Sequence, residues 1–117
     1  MKTMMQRFSE RFPKELKAEL ILHGHRCDVT IENFAEDGIK VITEPKNTAV
    51  GISSDEIIVL EFEIPSGEAL SLHCKVKWSS KRSSDSLIED IGLEITEKSP
   101  IFEDYFKSLF ISDMLYL

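Results

Sequence analysis

With two cysteines, one tryptophan, four prolines and five glycines, this chain of 117 residues is poor in the residues that build specialised small scaffolds. Cys27 and Cys74 are too few for a disulfide framework and have no CxxC spacing, so they read as reduced thiols acting as small core residues. No apolar run approaches the roughly 18 residues of a membrane-spanning helix, and residues 1–12 hold no apolar signal core. The expectation is a cytoplasmic chain without membrane insertion. A chain of this length holds one domain; its 42% hydrophobic residues suffice for one core and its 30% charged residues for a solvated surface.

Positive charge is scarce as well. Fourteen basic against 21 acidic residues leave a net charge of −7, which excludes general nucleic-acid binding because nothing would offset repulsion from a phosphate backbone. The deficit is uneven. Residues 1–26 carry Lys2, Arg7, Arg11, Lys14, Lys17 and Arg26 against Glu10, Glu15 and Glu19, a net of +3, while the remainder is −10. A basic head is attached to an acidic body.

Period settles most of the secondary structure. Leu70, Leu72, Cys74, Val76 and Trp78 occupy every second place, the pattern of a strand with one face in a core. Leu16, Ala18, Leu20 and Leu22 alternate likewise, as do Val29 and Ile31, then Ile58, Leu60, Phe62 and Ile64, and finally Ile91, Leu93 and Ile95; a shorter run covers Ile39 to Thr43. Turns fall at His23-Gly24-His25, at Glu36-Asp37-Gly38 and between Ile64 and Glu68. Longer polar connections, 44–55 and 79–87, are expected to lie exposed. Ile101, Phe102, Tyr105, Phe106, Leu109 and Phe110 then recur at helical spacing behind Ser99 as N-cap and Pro100 at the first helical position. The expected fold class is mainly all-β: six short antiparallel strands in a small barrel or strongly bent sheet, with one C-terminal α-helix at about 100–111.

A catalytic centre is not visible. No GxSxG elbow is present and the serines cluster in loops. His73 and Cys74 are strand neighbours and face opposite sides, and the adjacent Glu89 and Asp90 read as a solvated rim. His23, His25 and Cys27 have alternate spacing that could gather metal ligands, but a turn at Gly24 would break their shared face. Trp78 and the aromatic residues of the last helix read as core rather than as a cofactor box. The expectation is a protein that is not an enzyme, with no metal and no cofactor.

What remains is the basic head and the turn at 33–38. Arg7 and Arg11 are four residues apart, an even step on an extended chain and about one turn of a helix, so either conformation presents both on one side. Guanidinium forks pair bidentately with phosphate, stack on bases and read the O6/N7 edge of guanine. Twenty-two residues after Arg11, a strand runs into Asn33-Phe-Ala35-Glu-Asp-Gly38. Gly38 supplies tolerance of positive φ for the reversal, and Asn33 an amide that can hold the turn or a ligand edge.

Together these features resemble the PilZ domain, the bacterial receptor module for cyclic di-GMP. That family's pattern is an N-terminal Arg-x-x-x-Arg followed about twenty residues later by [Asp/Asn]-x-Ser-x-x-Gly, here Arg7 to Arg11 and Asn33 to Gly38. The Ile64-to-Glu68 turn, the strand ending at Trp78 and the Ile91–Ile95 strand before a terminal helix look like its later elements, so the resemblance covers about residues 7–110. It implies a six-stranded PilZ-type barrel spanning 16–117 and a flexible basic segment, 1–15, that folds across the barrel on ligand binding. It further implies a cyclic di-GMP site comprising Arg7, Arg11, Asn33, Ala35 and Gly38, an unidentified downstream protein, and a monomer or weak homodimer. Two or three charged contacts of roughly 1.5–3 kcal/mol each would offset ordering of the arm and leave about micromolar affinity. The alternative implied is a PilZ-like adaptor that binds proteins and not the nucleotide, through the acidic barrel face or the aromatic helix.

Ala35 stands where the family has Ser, so one hydroxyl contact is absent, at a cost of about 0.5–1.5 kcal/mol. Ala35→Ser is therefore expected to tighten cyclic di-GMP binding roughly two- to tenfold by calorimetric titration. An unchanged or weaker affinity would discard that explanation.

Overall fold

Alternation along six segments produces six strands: β1 (Phe12–Leu22), β2 (His25–Phe34), β3 (Gly38–Thr43), β4 (Ile57–Glu63), β5 (Ala69–Lys81) and β6 (Glu89–Ile95), followed by helix α1 (Pro100–Leu115). The structure, a computed structural model, describes residues 12–35, 37–44, 52–82, 88–97 and 99–115. All strand pairs are antiparallel, and the order β1-β2-β3-β6-β5-β4 closes on itself as a barrel. The all-β barrel with a C-terminal helix expected from the sequence is the fold observed. Closure gives every described strand a neighbour on both sides, which limits the open edge that can template aggregation.

Turn chemistry explains the hairpins. At the β1–β2 turn, His23 and Gly24 both have positive φ, 51° and 80°, which matches the right-handed twist of the flanking strands. At the β4–β5 turn, Gly67 has φ 96° and donates its N–H to the Ile64 carbonyl at 2.8 Å. Gly38, by contrast, is the first residue of β3, paired with Glu94; among the described residues the glycines with positive φ are Gly24 and Gly67. The reversal before β3 is closed instead by backbone bonds between Ala35 and Gly38, of which Ala35 N–H to Gly38 C=O is 2.7 Å.

Inward residues fill the barrel: Leu20, Val29, Ile31, Phe34, Ile39, Val41, Leu60, Cys74, Val76 and Ile91 are fully buried. Burial pushes the Cys74 thiol up to about 12 and raises that of Cys27 as well, so both remain protonated packing groups at neutral pH. Ser99 caps α1 as expected, its hydroxyl accepting the Phe102 N–H at 3.2 Å. The helix then lays Phe102 and Tyr105 against Phe34, with ring centroids 5.8 Å apart in both pairs. Phe62 approaches the same ring at 5.9 Å.

Several local expectations are corrected. β1 begins at Phe12 and β5 continues to Lys81, because Ser79, Ser80 and Lys81 pair with Ile91, Asp90 and Glu89. Ile52, in a connection expected to be exposed, is a core residue; Ser79 holds it by donating to its carbonyl at 2.9 Å. Glu89 is buried rather than on a solvated rim, since β6 places it in phase with Ile91 and Leu93, and its N–H donates to Thr43 Oγ1 at 2.8 Å. Trp78 is not core: it is 44% exposed.

Phe34 joins β2 to the helix, and Phe34→Ala is expected to cost about 3–5 kcal/mol in urea unfolding, with reduced helical circular dichroism. A loss below about 1 kcal/mol would mean that the ring cluster does not hold α1.

Candidate functional site

Three strands carry a register irregularity at the same end of the barrel: β1 between Pro13 and Leu16, β2 between Ile31 and Asn33, and β5 between Val76 and Trp78. Bulges re-aim side chains. In β2, Ile31 and Phe34 are both fully buried, so Glu32 and Asn33 lie together between two inward residues. In β5, the extra residue, Lys77, lets Trp78 leave the inward phase of Leu72, Cys74 and Val76.

The shifted registers align one row across five strands. Pro13 pairs with Asn33, Asn33 with Lys40, Lys40 with Gly92, and Gly92 with Trp78. At about 4.8 Å per strand, Asn33 and Trp78 are roughly 14 Å apart along the curved surface. The indole lies over Gly92: a Cβ there would come within 3.0 Å of Trp78 Nε1, Cε2 and Cδ1. Gly92 is thus the opening that lets the ring settle on the sheet. The result is an aromatic face on the barrel exterior, in line with the motif asparagine.

Beside this row lies a compact ion network. Lys40 Nζ is 2.8 Å from Glu32 Oε1 and 3.9 Å from Asp90 Oδ1. Arg82 donates through Nε and Nη2 to the two Asp90 oxygens, each at 3.1 Å, and approaches Glu32 at 3.8 Å. These hydrogen bonds from Arg82, and then the Asp90 charge itself, raise the guanidinium pKa further above its ordinary value. Two cations and two carboxylates balance, so the platform offers orientation and stacking but no net positive charge.

Of the residues expected at the site, Asn33, Ala35 and Gly38 fall at one strand end, while Arg7 and Arg11 lie outside the described residues. Asn33 is half-buried, in the aligned row. Ala35 is only 5% exposed, so its methyl is not displayed to an open groove. Asp37 ties the turn to the far end of β6 by accepting the Ile95 N–H at 2.9 Å. Phe12, the residue after Arg11, pairs with Phe34, so β1 starts beside the motif turn. His23, His25 and Cys27 do not converge: both histidines are exposed, Cys27 is buried, and His23 Nε2 lies 3.5 Å from Glu56 instead.

Sequence reasoning missed Trp78. The signal was Gly92, an isolated glycine between Ile91 and Leu93, since a glycine inside a strand marks a close approach by something else.

Residues 5–111 match the family model described as PilZ domain. Among solved structures, an inhibitor of motility from Bacillus subtilis, MotI/DgrA, has a similar fold: TM-score 0.72 over 92% of this chain at 15% identity. This chain spans about half, 51%, of that protein's length. No curated protein matches it.

Because a methyl group at 92 cannot coexist with the seated indole, Gly92→Ala is expected to displace Trp78. As Trp78 is the sole tryptophan, its emission and its accessibility to acrylamide report the change directly. An unaltered spectrum would contradict the packing of the ring on Gly92.

Proposed function

The chain belongs to the PilZ domain family, and from that membership we propose that it is a cyclic di-GMP receptor that acts by binding, orders its basic N-terminal arm around the nucleotide, and signals to a partner protein. PilZ domains are generally receptors for this dinucleotide and are binding or adaptor domains, not enzymes. The observation that carries the reading here is the aligned row. It brings Asn33, Lys40 and an exposed indole onto one surface, at the end of the barrel where the chain leading from Arg7 and Arg11 joins β1.

Each part has a chemical task. Trp78 offers a face on which a guanine stacks, at about 1–3 kcal/mol per base. Asn33 offers an amide with both donors and an acceptor for a base edge. Neither supplies charge, and the Glu32–Lys40–Asp90–Arg82 network is already neutral. A dianion therefore draws its countercharge from Arg7 and Arg11, whose forks match phosphate geometry. Holding the arm against the barrel is the conformational change, and a surface that a partner reads only in that state is the output.

A second reading is favoured by one observation. Ala35 lacks the hydroxyl of the family motif and is buried, which suits an adaptor whose turn no longer addresses a ligand.

Calorimetric titration with cyclic di-GMP separates the two readings. A receptor gives saturable heat with about micromolar affinity, and Arg11→Ala weakens it at least about tenfold. On ligand addition, amide exchange in residues 5–14 slows. No heat at about 100 µM protein leaves the adaptor reading.

A further inference from the structure

Between the asparagine and the glycine of the aligned row stands one charged residue. Lys40 pairs with Asn33 on one side and with Gly92, the seat of the indole, on the other. We propose that Lys40 is a specificity-determining residue: its ammonium donates to the O6/N7 edge of a guanine stacked on Trp78 and so selects guanine over adenine. The assignment rests on the receptor reading above and adds to it which edge of the base is read, and by which group.

Placement is the first observation. In β3, Ile39 and Val41 are fully buried, so Lys40 between them points out of the barrel, onto the face that carries Trp78. The indole leans from β5 over Gly92 on β6, the strand adjoining β3, so ring and lysine stem start from neighbouring positions. A base stacked on the open side of that ring is lifted above the sheet by the thickness of the indole. A long lysine stem reaches that height, and a short side chain would not.

The second observation is the count of donors. An ammonium has three. Glu32 Oε1 takes one at 2.8 Å, and the Asp90 oxygen at 3.9 Å is beyond hydrogen-bond distance. Two donors remain on a side chain that is 29% exposed. Guanine presents two adjacent acceptors, O6 and N7, whereas adenine presents N7 beside an N6 amine that itself donates. The tethered ammonium therefore meets guanine with two hydrogen bonds and adenine with a donor against a donor. The bond to Glu32 fixes the ammonium before the base arrives, which lowers the ordering cost.

Arg82, the other cation of the network, is less suited. Its Nε and Nη2 are both bonded to Asp90, and it follows Trp78 by four residues, about 13 Å along an extended chain. Lys40 and Glu32 together are neutral, so the lysine contributes selectivity, while attraction for the phosphates still falls to Arg7 and Arg11.

The test is calorimetric titration of the full chain with cyclic di-GMP, cyclic di-AMP and the 7-deaza analogue of cyclic di-GMP, which has a C–H in place of N7. The wild type is expected to bind the 7-deaza analogue about fivefold more weakly than cyclic di-GMP, and Lys40→Met to bind the two alike. The preference for cyclic di-GMP over cyclic di-AMP should fall at least about fivefold in Lys40→Met and persist in Lys40→Arg. A lysine that only supports the sheet through Glu32 would, on loss, weaken both dinucleotides equally, and that result overturns the assignment. So does a 7-deaza analogue that binds the wild type as tightly as its parent, a measurement that needs no variant. In either case binding of cyclic di-GMP by the wild type leaves the receptor reading standing; absence of that binding removes both.

Discussion

The packing of Phe34 against Phe62, Phe102 and Tyr105 is the contact on which the other features depend. Phe34 is the last residue of β2, fully buried, with Asn33 before it and Ala35 after it. Because neighbouring side chains on a strand take opposite faces, anchoring this ring inward sets where the motif turn begins. The same ring is the seat of α1, so the helix and the candidate ligand surface share one residue. Tyr105 meets Phe34 edge-on at 84°.

Electrostatics orders the barrel surface. Most of the outer ion pairs are exposed and individually contribute little to stability, but near the aligned row they fix orientation. Arg82 is held bidentately by Asp90, and Lys40 by Glu32. Arg26 similarly spans Glu19 and Glu61 on another face, where its hydrogen bond holds the Glu61 carboxyl below its usual pKa. Lys17, Arg26, Lys40, Lys75, Lys77 and Arg82 thus have carboxylates already in place. A chain of net charge −7 nonetheless concentrates cations near its start, where residues 1–26 carry +3.

Much of this was legible in the sequence. The six strands, the Ser99 cap and the inward set of β5 follow from period and turn chemistry. What escaped notice follows from bulges, which period cannot register. One extra residue at Lys77 turned Trp78 from the core to the surface, although the alternation from Leu70 onward pointed it inward. Gly38 looked like a residue chosen for its φ, yet it begins a strand, and two backbone bonds to Ala35 close the reversal. Glu89 departs from its sequence reading for the opposite reason: its phase with Ile91 and Leu93 places it inward, although its charge suggests a solvated rim. The order and spacing of the two motifs were plain from the start, but their surroundings were not. The cross-strand row exists only once three register shifts are combined.

The central claim is that cyclic di-GMP is held on this row, between the arm and the Trp78 face. Its most direct test is the emission of that sole tryptophan during a nucleotide titration. The account predicts saturable quenching that follows the binding heat and moves to at least about tenfold higher nucleotide concentration in Arg11→Ala; heat of binding with unchanged emission would put the nucleotide elsewhere on the chain and contradict it.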